Sequence, residues 1–358
     1  MAALRYFFSL LMIPVSFVAA GISIAAYMAG QTNPNESTWI TFIGLAMPVV
    51  LIINLVILVY WIIGKRWWAI VPVAAIFLNI GYLTSIFQVT VSSPETPNGK
   101  LPIRLASYNA GKFKSWEKFE TQHYISEFLK NDHVDIACFL EYREDTKINA
   151  ETLSRLLNLP YHAVTYLPGS TTLGIGIFSK YPILQSGKIP LNSATNDAMW
   201  TDIQVGEQTI RVISCHLQTT NFSGKRKLLD DPVFQNTDIQ QKEEVVLDIT
   251  QELSKNFKLR ATQADIVRQV IDTTGVPTIV CGDFNDTPSS YTYHRIKGEL
   301  KDSFKTSGNG YAYTFRGLHR LLRIDFIFYS DELKCIDYYS PEKEWSDHNP
   351  VTSEFYLK

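Results

Sequence analysis

The chain has 358 residues, of which 33 are basic and 35 acidic, a length sufficient for about two to three average domains. This near-balance excludes a strongly basic protein built to coat nucleic acid. It also conceals a division. Up to Val91 the only charged residues are Arg5, Glu36, Lys65 and Arg66, which removes three basic residues and one acidic residue and leaves the remainder at a net charge of −4.

Three charge-free stretches open the chain, at 6–35, 37–64 and 67–94. Each exceeds the ~20 predominantly apolar residues that cross a hydrocarbon core as a helix. Trp39, Trp61, Trp67 and Trp68 fall near their ends, where indole rings favour the membrane interface. Pro14, Pro48 and Pro72 lie inside them, as membrane bundles tolerate. A cleaved signal peptide accounts for the first stretch at most, and its apolar region is too long for one. The expectation is a three-span anchor over residues 1–91 with the lipid bilayer as partner, a polar linker over 92–100, and a separate domain over 101–358. Arg5 and Lys65-Arg66 flank these spans, whereas 31–38 holds no basic residue. The positive-inside rule then predicts that the C-terminal domain is extracytoplasmic, periplasmic in a Gram-negative cell.

Beyond the linker the pattern changes to short strands alternating with amphipathic helices. Strands are expected at 103–108, 134–140, 173–179, 183–189, 199–205, 209–216, 277–281, 323–329, 335–339 and 352–356, and helices at 117–131, 150–157 and 238–273. Many strands with few helices predict an α+β fold: two packed β-sheets flanked by helices, a four-layer sandwich, preceded by the three transmembrane helices. The segment 219–236, with Lys225-Arg226-Lys227 and Asp230-Asp231, is expected to be a mobile insertion beside the cleft or the bilayer. Cys138, Cys215, Cys281 and Cys335 lack metal-binding spacing and sit in apolar runs, as buried free thiols do.

Polar residues recur at the C-terminal ends of apolar runs. Asn109 follows Ile-Arg-Leu-Ala-Ser-Tyr, Glu141 follows Val-Asp-Ile-Ala-Cys-Phe-Leu, His216 follows Ile-Arg-Val-Ile-Ser-Cys, and Gly-Asp283-Phe-Asn285 follows Val-Pro-Thr-Ile-Val-Cys. Strands ending this way at one rim of a sheet gather carboxylates and imidazoles into one cleft, where each needs a partner, a proton or a metal. Taken singly, these are turn residues or structural histidines. Asp325, within Arg-Ile-Asp-Phe-Ile-Phe, needs a partner inside an apolar strand, and Ser-Asp347-His348 alone reads as a cap or turn.

Taken in order, Asn109, Leu-Glu141, Cys-His216-Leu, Gly-Asp283-Phe-Asn285, Arg-Ile-Asp325-Phe-Ile and Ser-Asp347-His348 resemble the endonuclease/exonuclease/phosphatase superfamily over roughly residues 101–358. The resemblance implies hydrolysis of a phosphate ester with Mg²⁺ or Mn²⁺ as cofactor. It implies Glu141 as principal metal ligand, helped by Asn109 and Asp347. Asp283 would position or deprotonate the attacking water, aided by Asn285. His348, oriented by Asp325, would donate to phosphate oxygens, and His216 would assist the leaving group or bind phosphate. Such chemistry needs an activated water and charge neutralisation at the phosphoryl oxygens, and hard oxygen ligands suit those cations. Two residues beyond Glu141, Arg143 lies on the same side if the strand continues, where a guanidinium could bind phosphate. Arg260 and Gln263, one helical turn apart, read as braces for strand ends. Leu140 stands where the family often has Gln, and Asn109-Ala-Gly-Lys departs from its usual first motif.

The expected function is a membrane-anchored phosphodiesterase or phosphomonoesterase acting on nucleic acid or a phosphorylated lipid headgroup. The competing reading is a binding or scaffolding protein using the fold without turnover. Nothing in the sequence points to a protein partner.

Overall fold

The computed structural model describes residues 2–90, 99–114, 120–146, 148–220 and 239–358. The expected linker and the 219–236 insertion lie largely outside these residues, as does the start of the helix expected from residue 117. The first strands in the chain are β1 (Phe87–Gln88), β2 (Ile103–Asn109), β3 (Ile136–Arg143), β4 (Tyr161–Tyr166), β5 (Leu173–Ser179), β6 (Ile183–Ile189) and β7 (Asp197–Val205). They are followed by β8 (Gln208–His216), β9 (Thr278–Asp283), β10 (Lys301–Asp302), β11 (Gly310–Tyr311), β12 (Asp325–Tyr329), β13 (Leu333–Tyr339) and β14 (Val351–Leu357). Two six-stranded sheets result, in the orders β13-β14-β2-β3-β5-β4 and β10-β12-β9-β8-β7-β6. Each contains one parallel pair, β2 with β3 and β8 with β9.

Strand residues alternate between faces, and here both faces are buried. In β3, Ile136, Cys138 and Leu140 enter the core between the sheets, while Ala137 and Phe139 point to the outer face. In β9, Ile279 and Cys281 face inward and Val280 outward. Ile125, Leu129, Leu153 and Leu157, from helices Gln122–Asn131 and Ala150–Leu157, cover one outer face. Ala264, Val267 and Ile271 of helix Ile239–Asp272 cover the other. All four cysteines are buried and unbridged.

At the N-terminus, helix Ala2–Met28 contains a segment, Tyr6–Met28, long and apolar enough to cross a membrane. The other two expected spans are not continuous helices. Thr38–Leu45 and Met47–Ile63 meet at 60°, and Trp67–Leu78 and Ile80–Ile86 at 56°, so each qualifies only if the bent pair counts as one span. The breaks have local causes. Pro48, which lacks an N–H, stands at the start of the Met47–Ile63 helix, and proline disrupts a helix that precedes it. At the second break Asn79 donates through Nδ2 to Ala75 O at 3.0 Å and Ser23 O at 3.3 Å, competing with the backbone ladder. Trp61 is 1% exposed and donates to Ser16 Oγ at 2.9 Å, so it anchors the bundle interior rather than an interface.

The bundle touches the sandwich at one end. Ser289 Oγ donates to Gly44 O at 2.9 Å, Arg323 donates to Ser85 O at 2.9 Å, and β1 pairs with β11. The His294 ring lies where a Cβ on Gly30 would sit, and Phe42 meets Phe257 edge-on at 5.3 Å. Along helix Ala2–Met28, Ser16 pairs with Trp61 whereas Ser23 pairs with Asn54. The helix Met47–Ile63 therefore runs away from the sandwich and delivers Lys65 and Arg66 to the far end.

Candidate active site

Sheet register sets the level of the polar residues. Asp197, His216, Asp283 and Asp325 are successive partners across β7, β8, β9 and β12. In the other sheet Asn109 pairs with Leu140, next to Glu141. Both parallel pairs thus end at one rim, the side of an α/β sheet where ligands bind. Packing there is close: a Cβ on Gly282, at φ +139, would lie 2.0 Å from Cys215 O. His348 arrives just before β14, whose first residue pairs with Ser107. Ser346 fixes that approach, its Oγ donating to Asn109 O at 2.7 Å and accepting from His348 N at 3.3 Å.

A cavity of about 220 Å³ lies at this rim, lined by Asn109, Glu141, His216, Asp283, Asn285, Asp347 and His348. Asp283 is at its centre. Its Oδ2 accepts from Asn109 Nδ2 at 3.1 Å and its Oδ1 from Asn285 N at 2.8 Å. Asn285, held at φ +51, donates through Nδ2 to Leu217 O at 3.0 Å. Two imidazoles face the same oxygen of Asp283, His348 Nε2 at 3.6 Å and His216 Nε2 at 3.8 Å. Burial pushes the Asp283 carboxyl up to about 6, against the pull of His348.

Asp325 lies behind His348, accepting from Nδ1 at 2.8 Å, and both side chains are buried. Thr314 Oγ1 accepts from the backbone N–H of Ile324 and of Asp325, each at 3.0 Å, which holds the backbone from which the carboxylate projects. Burial alone would lower the His348 pKa, but Asp325 and Asp283 outweigh it and carry it up to about 10. His348 is therefore an imidazolium at neutral pH.

Asp283, Asp325 and His348 offer three ligand atoms within 4.8 Å of one another. Because His348 already holds Asp325, this trio is an imidazolium between two carboxylates. The open oxygen donor is Glu141, whose side chain is 30% exposed and whose ionic neighbours among the described residues stand off, Lys112 Nζ at 3.9 Å and His216 Nε2 at 4.0 Å. With Asn109 and the half-buried Asp347 on the same cavity wall, the donors are hard oxygens without a thiolate, a set that fits Mg²⁺ or Mn²⁺.

Arg143 does not join the cavity. It lines a separate hollow of about 90 Å³ with Lys112, Lys114 and Asp145. The strand does not continue regularly past Phe139: the register shifts before Tyr142, and Glu141 sits at φ +47. A bulge of this kind re-aims the side chains that follow it. Lys112 and Leu45 are functional-site neighbours that sequence reasoning missed. The first lies two residues past the Asn109-Ala pair, but Leu45 reaches the cavity from the N-terminal bundle and carries no local signal. Arg260 and Gln263 brace the chain after His216: Arg260 donates to Asp286 at 3.0 Å and Gln218 O at 2.6 Å, and Gln263 accepts from Gln218 N at 2.8 Å.

Known proteins share this fold. The human nocturnin catalytic domain with bound sulfate superposes with a TM-score of 0.52 at 18% identity, covering 72% of this chain and 96% of that one. An endonuclease/exonuclease/phosphatase from Bacteroides vulgatus gives 0.52 at 19% identity, covering 72% and 100%. ANGEL2, a 2',3'-cyclic phosphatase in complex with adenosine-2',3'-vanadate, gives 0.52 at 16% identity, covering 75% and 99%. At these identities the likeness shows the fold. No curated protein matches the chain. A domain of unknown function matches residues 7–86. The Endonuclease/Exonuclease/phosphatase family profile matches residues 106–348, which span every polar residue of the cavity, so the chain belongs to that family and is a phosphoric ester hydrolase.

Proposed function

We propose that the chain is an integral membrane phosphoesterase dependent on a divalent cation, with residues 1–91 as anchor and 101–358 as catalytic domain. The observation that carries this reading is the Asp283 carboxylate, held by Asn109 and Asn285 and faced by two imidazoles in one cavity. A binding module has no need of a buried carboxylate and imidazolium set against each other.

In this reading Asp283 accepts a proton from the water that attacks phosphorus, its orientation fixed through both oxygens. His348, kept charged by Asp325, donates from Nε2 to a phosphoryl oxygen. His216 stands on the other side of Asp283, where it donates to the leaving oxygen or binds phosphate. Glu141, Asn109 and Asp347 would hold Mg²⁺ or Mn²⁺, which when bound neutralises charge on the phosphoryl oxygens.

The substrate is a phosphate ester of nucleic acid or of a lipid headgroup. The lipid is favoured by the apolar bundle against the catalytic domain, with Leu45 of that bundle on the cavity wall, and by the net acidic charge of the polar part. In this reading the catalytic domain lies outside the cytoplasm, on the side opposite Lys65 and Arg66, because the positive-inside rule keeps those two residues in the cytoplasm. The direct test is hydrolysis of bis-p-nitrophenyl phosphate and p-nitrophenyl phosphate by the full-length protein in detergent. Turnover that requires Mg²⁺ or Mn²⁺ and vanishes in EDTA is expected. Turnover indifferent to chelator removes the cation, and no turnover of either ester removes the catalytic reading.

A further inference from the structure

A second, larger cavity adjoins the catalytic one. It measures about 890 Å³, and its walls are aliphatic apart from Tyr82, Tyr311 and His319. Leu45 and Leu322 belong to both cavities. One wall is the helical bundle, with Ile52 and Leu55 beyond the first helix break and Ile86 beyond the second. The opposite wall is the loop of the catalytic domain that carries Leu321, which is 62% exposed.

We infer that this groove receives the acyl chain of the substrate, so that the phosphate ester hydrolysed at Asp283 and His348 belongs to a membrane lipid. The inference rests on the phosphoesterase reading above and specifies its substrate. The shared walls carry it. Bilayer hydrocarbon fills any apolar groove between spans, but this one meets the catalytic cavity at Leu45 and Leu322. A molecule with its phosphate beside His348 and an apolar tail has a continuous path that is polar at one end and aliphatic at the other. A nucleic acid presents sugars and phosphates along its length and finds no partner for them in an aliphatic wall. The two helix breaks serve this arrangement, since the segments they set at an angle flank the groove. Ser289, through its hydrogen bond to Gly44 O, holds Leu45 at the junction.

The test uses full-length protein in nanodiscs with Mg²⁺ and two ester series, n-alkyl phosphates and n-alkyl p-nitrophenyl phosphates, from methyl to dodecyl below their micellar concentrations. Each methylene withdrawn from water raises affinity roughly four-fold. The dodecyl ester of whichever series is hydrolysed is therefore expected to exceed the methyl ester in kcat/KM by at least ~100-fold, allowing for partial burial. Filling the groove from either wall, by Ile52→Trp or by Leu321→Trp at an exposed loop position, is expected to reduce that ratio to below ~10-fold, since the tail then stays in water. Val59→Trp, outside the groove, keeps the ratio and controls for an added indole elsewhere on the bundle. Methyl-ester turnover with no gain from chain length overturns the lipid inference and leaves the phosphoesterase reading standing, as does a short oligonucleotide hydrolysed faster than every alkyl ester. A long-chain preference untouched by both groove variants also overturns it, because the gain then comes from the bilayer. No turnover of any ester removes both.

Discussion

His348 Nδ1 lies 2.8 Å from Asp325 Oδ2, and the backbone N–H of Asp325 is itself held by Thr314. The imidazolium ring is therefore held in one direction, with Nε2 towards Asp283. His348→Ala is expected to lower kcat by roughly two to four orders of magnitude, the range for a lost charge stabiliser. Asp325→Asn should lower it less, because the ring stays in place while its charge is no longer favoured. Single-turnover rates on the same ester rank the two, and equal rates for wild type and His348→Ala would remove this residue from the chemistry.

The same pair gives stability a pH dependence. With a folded pKa of about 10 for His348 and about 6.5 unfolded, the folded state binds the proton more tightly. Its stabilisation is full below about pH 6.5 and is lost as pH rises through about 10. Urea midpoints measured across that window should fall for wild type and stay flatter for His348→Gln. Parallel profiles for the two would contradict the assignment.

Asp283 sets the acid side of the rate profile. Its carboxyl is pushed up to about 6 by burial, and only the ionised form accepts a proton from water. kcat/KM should fall as pH drops through about 6, and Asp283→Asn should abolish the limb together with roughly two to four orders of magnitude of rate. An acid limb of unchanged position in a residually active Asp283→Asn protein would assign it to another group.

Glu141→Gln keeps the shape of the side chain and removes the charge facing the cavity. Turnover should drop by roughly three orders of magnitude with the thermal midpoint preserved. Isothermal titration with Mn²⁺ supplies a readout independent of rate: the variant should bind Mn²⁺ more weakly, and equal affinity would move the cation elsewhere.

The topology makes a separate claim. Lys65 and Arg66 lie at the end of the bundle opposite its contacts with the sandwich. Alkaline phosphatase fused after Gly99 should be active and a green fluorescent protein at the same site dark. The reverse pattern places the catalytic domain in the cytoplasm.

Much of the sandwich was legible because its strands are apolar runs with sharp polar ends. The strand expected at 173–179 is β5, and that at 183–189 is β6. β4 was missed: its residues, Tyr161–Tyr166, are only partly buried, so they carry no apolar run to read. Glu141, Asp283 and His348 could be found because the first two close apolar runs and the third precedes a buried strand. Arg143 was misplaced because alternation holds only while a strand stays regular, and the left-handed backbone at Glu141 ends that regularity. The bends within the second and third apolar stretches are not legible, because hydropathy registers length and not direction. The breaks depend on Pro48 and on the Asn79 side chain bonding across to Ser23. Leu45 meets residues more than two hundred positions away, a distance no local pattern spans.

The buried guanidinium of Arg323 has a consequence for how this protein can be handled. It forms a doubly hydrogen-bonded pair with Asp302, at 2.6 and 2.8 Å, with both side chains fully buried, and spends a further hydrogen bond on Ser85 O. Asp302→Ala should destabilise the fold by about 3–5 kcal/mol by leaving that cation unpaired, measurable by denaturant unfolding. Ser85 precedes the linker, so trimming the chain at Leu101 to obtain a soluble fragment removes one of the acceptors that Arg323 requires, together with the Leu45 side of the active-site cavity. The helical bundle thus completes the buried contacts of the sandwich, and a fragment without it lacks part of the wall of the candidate site.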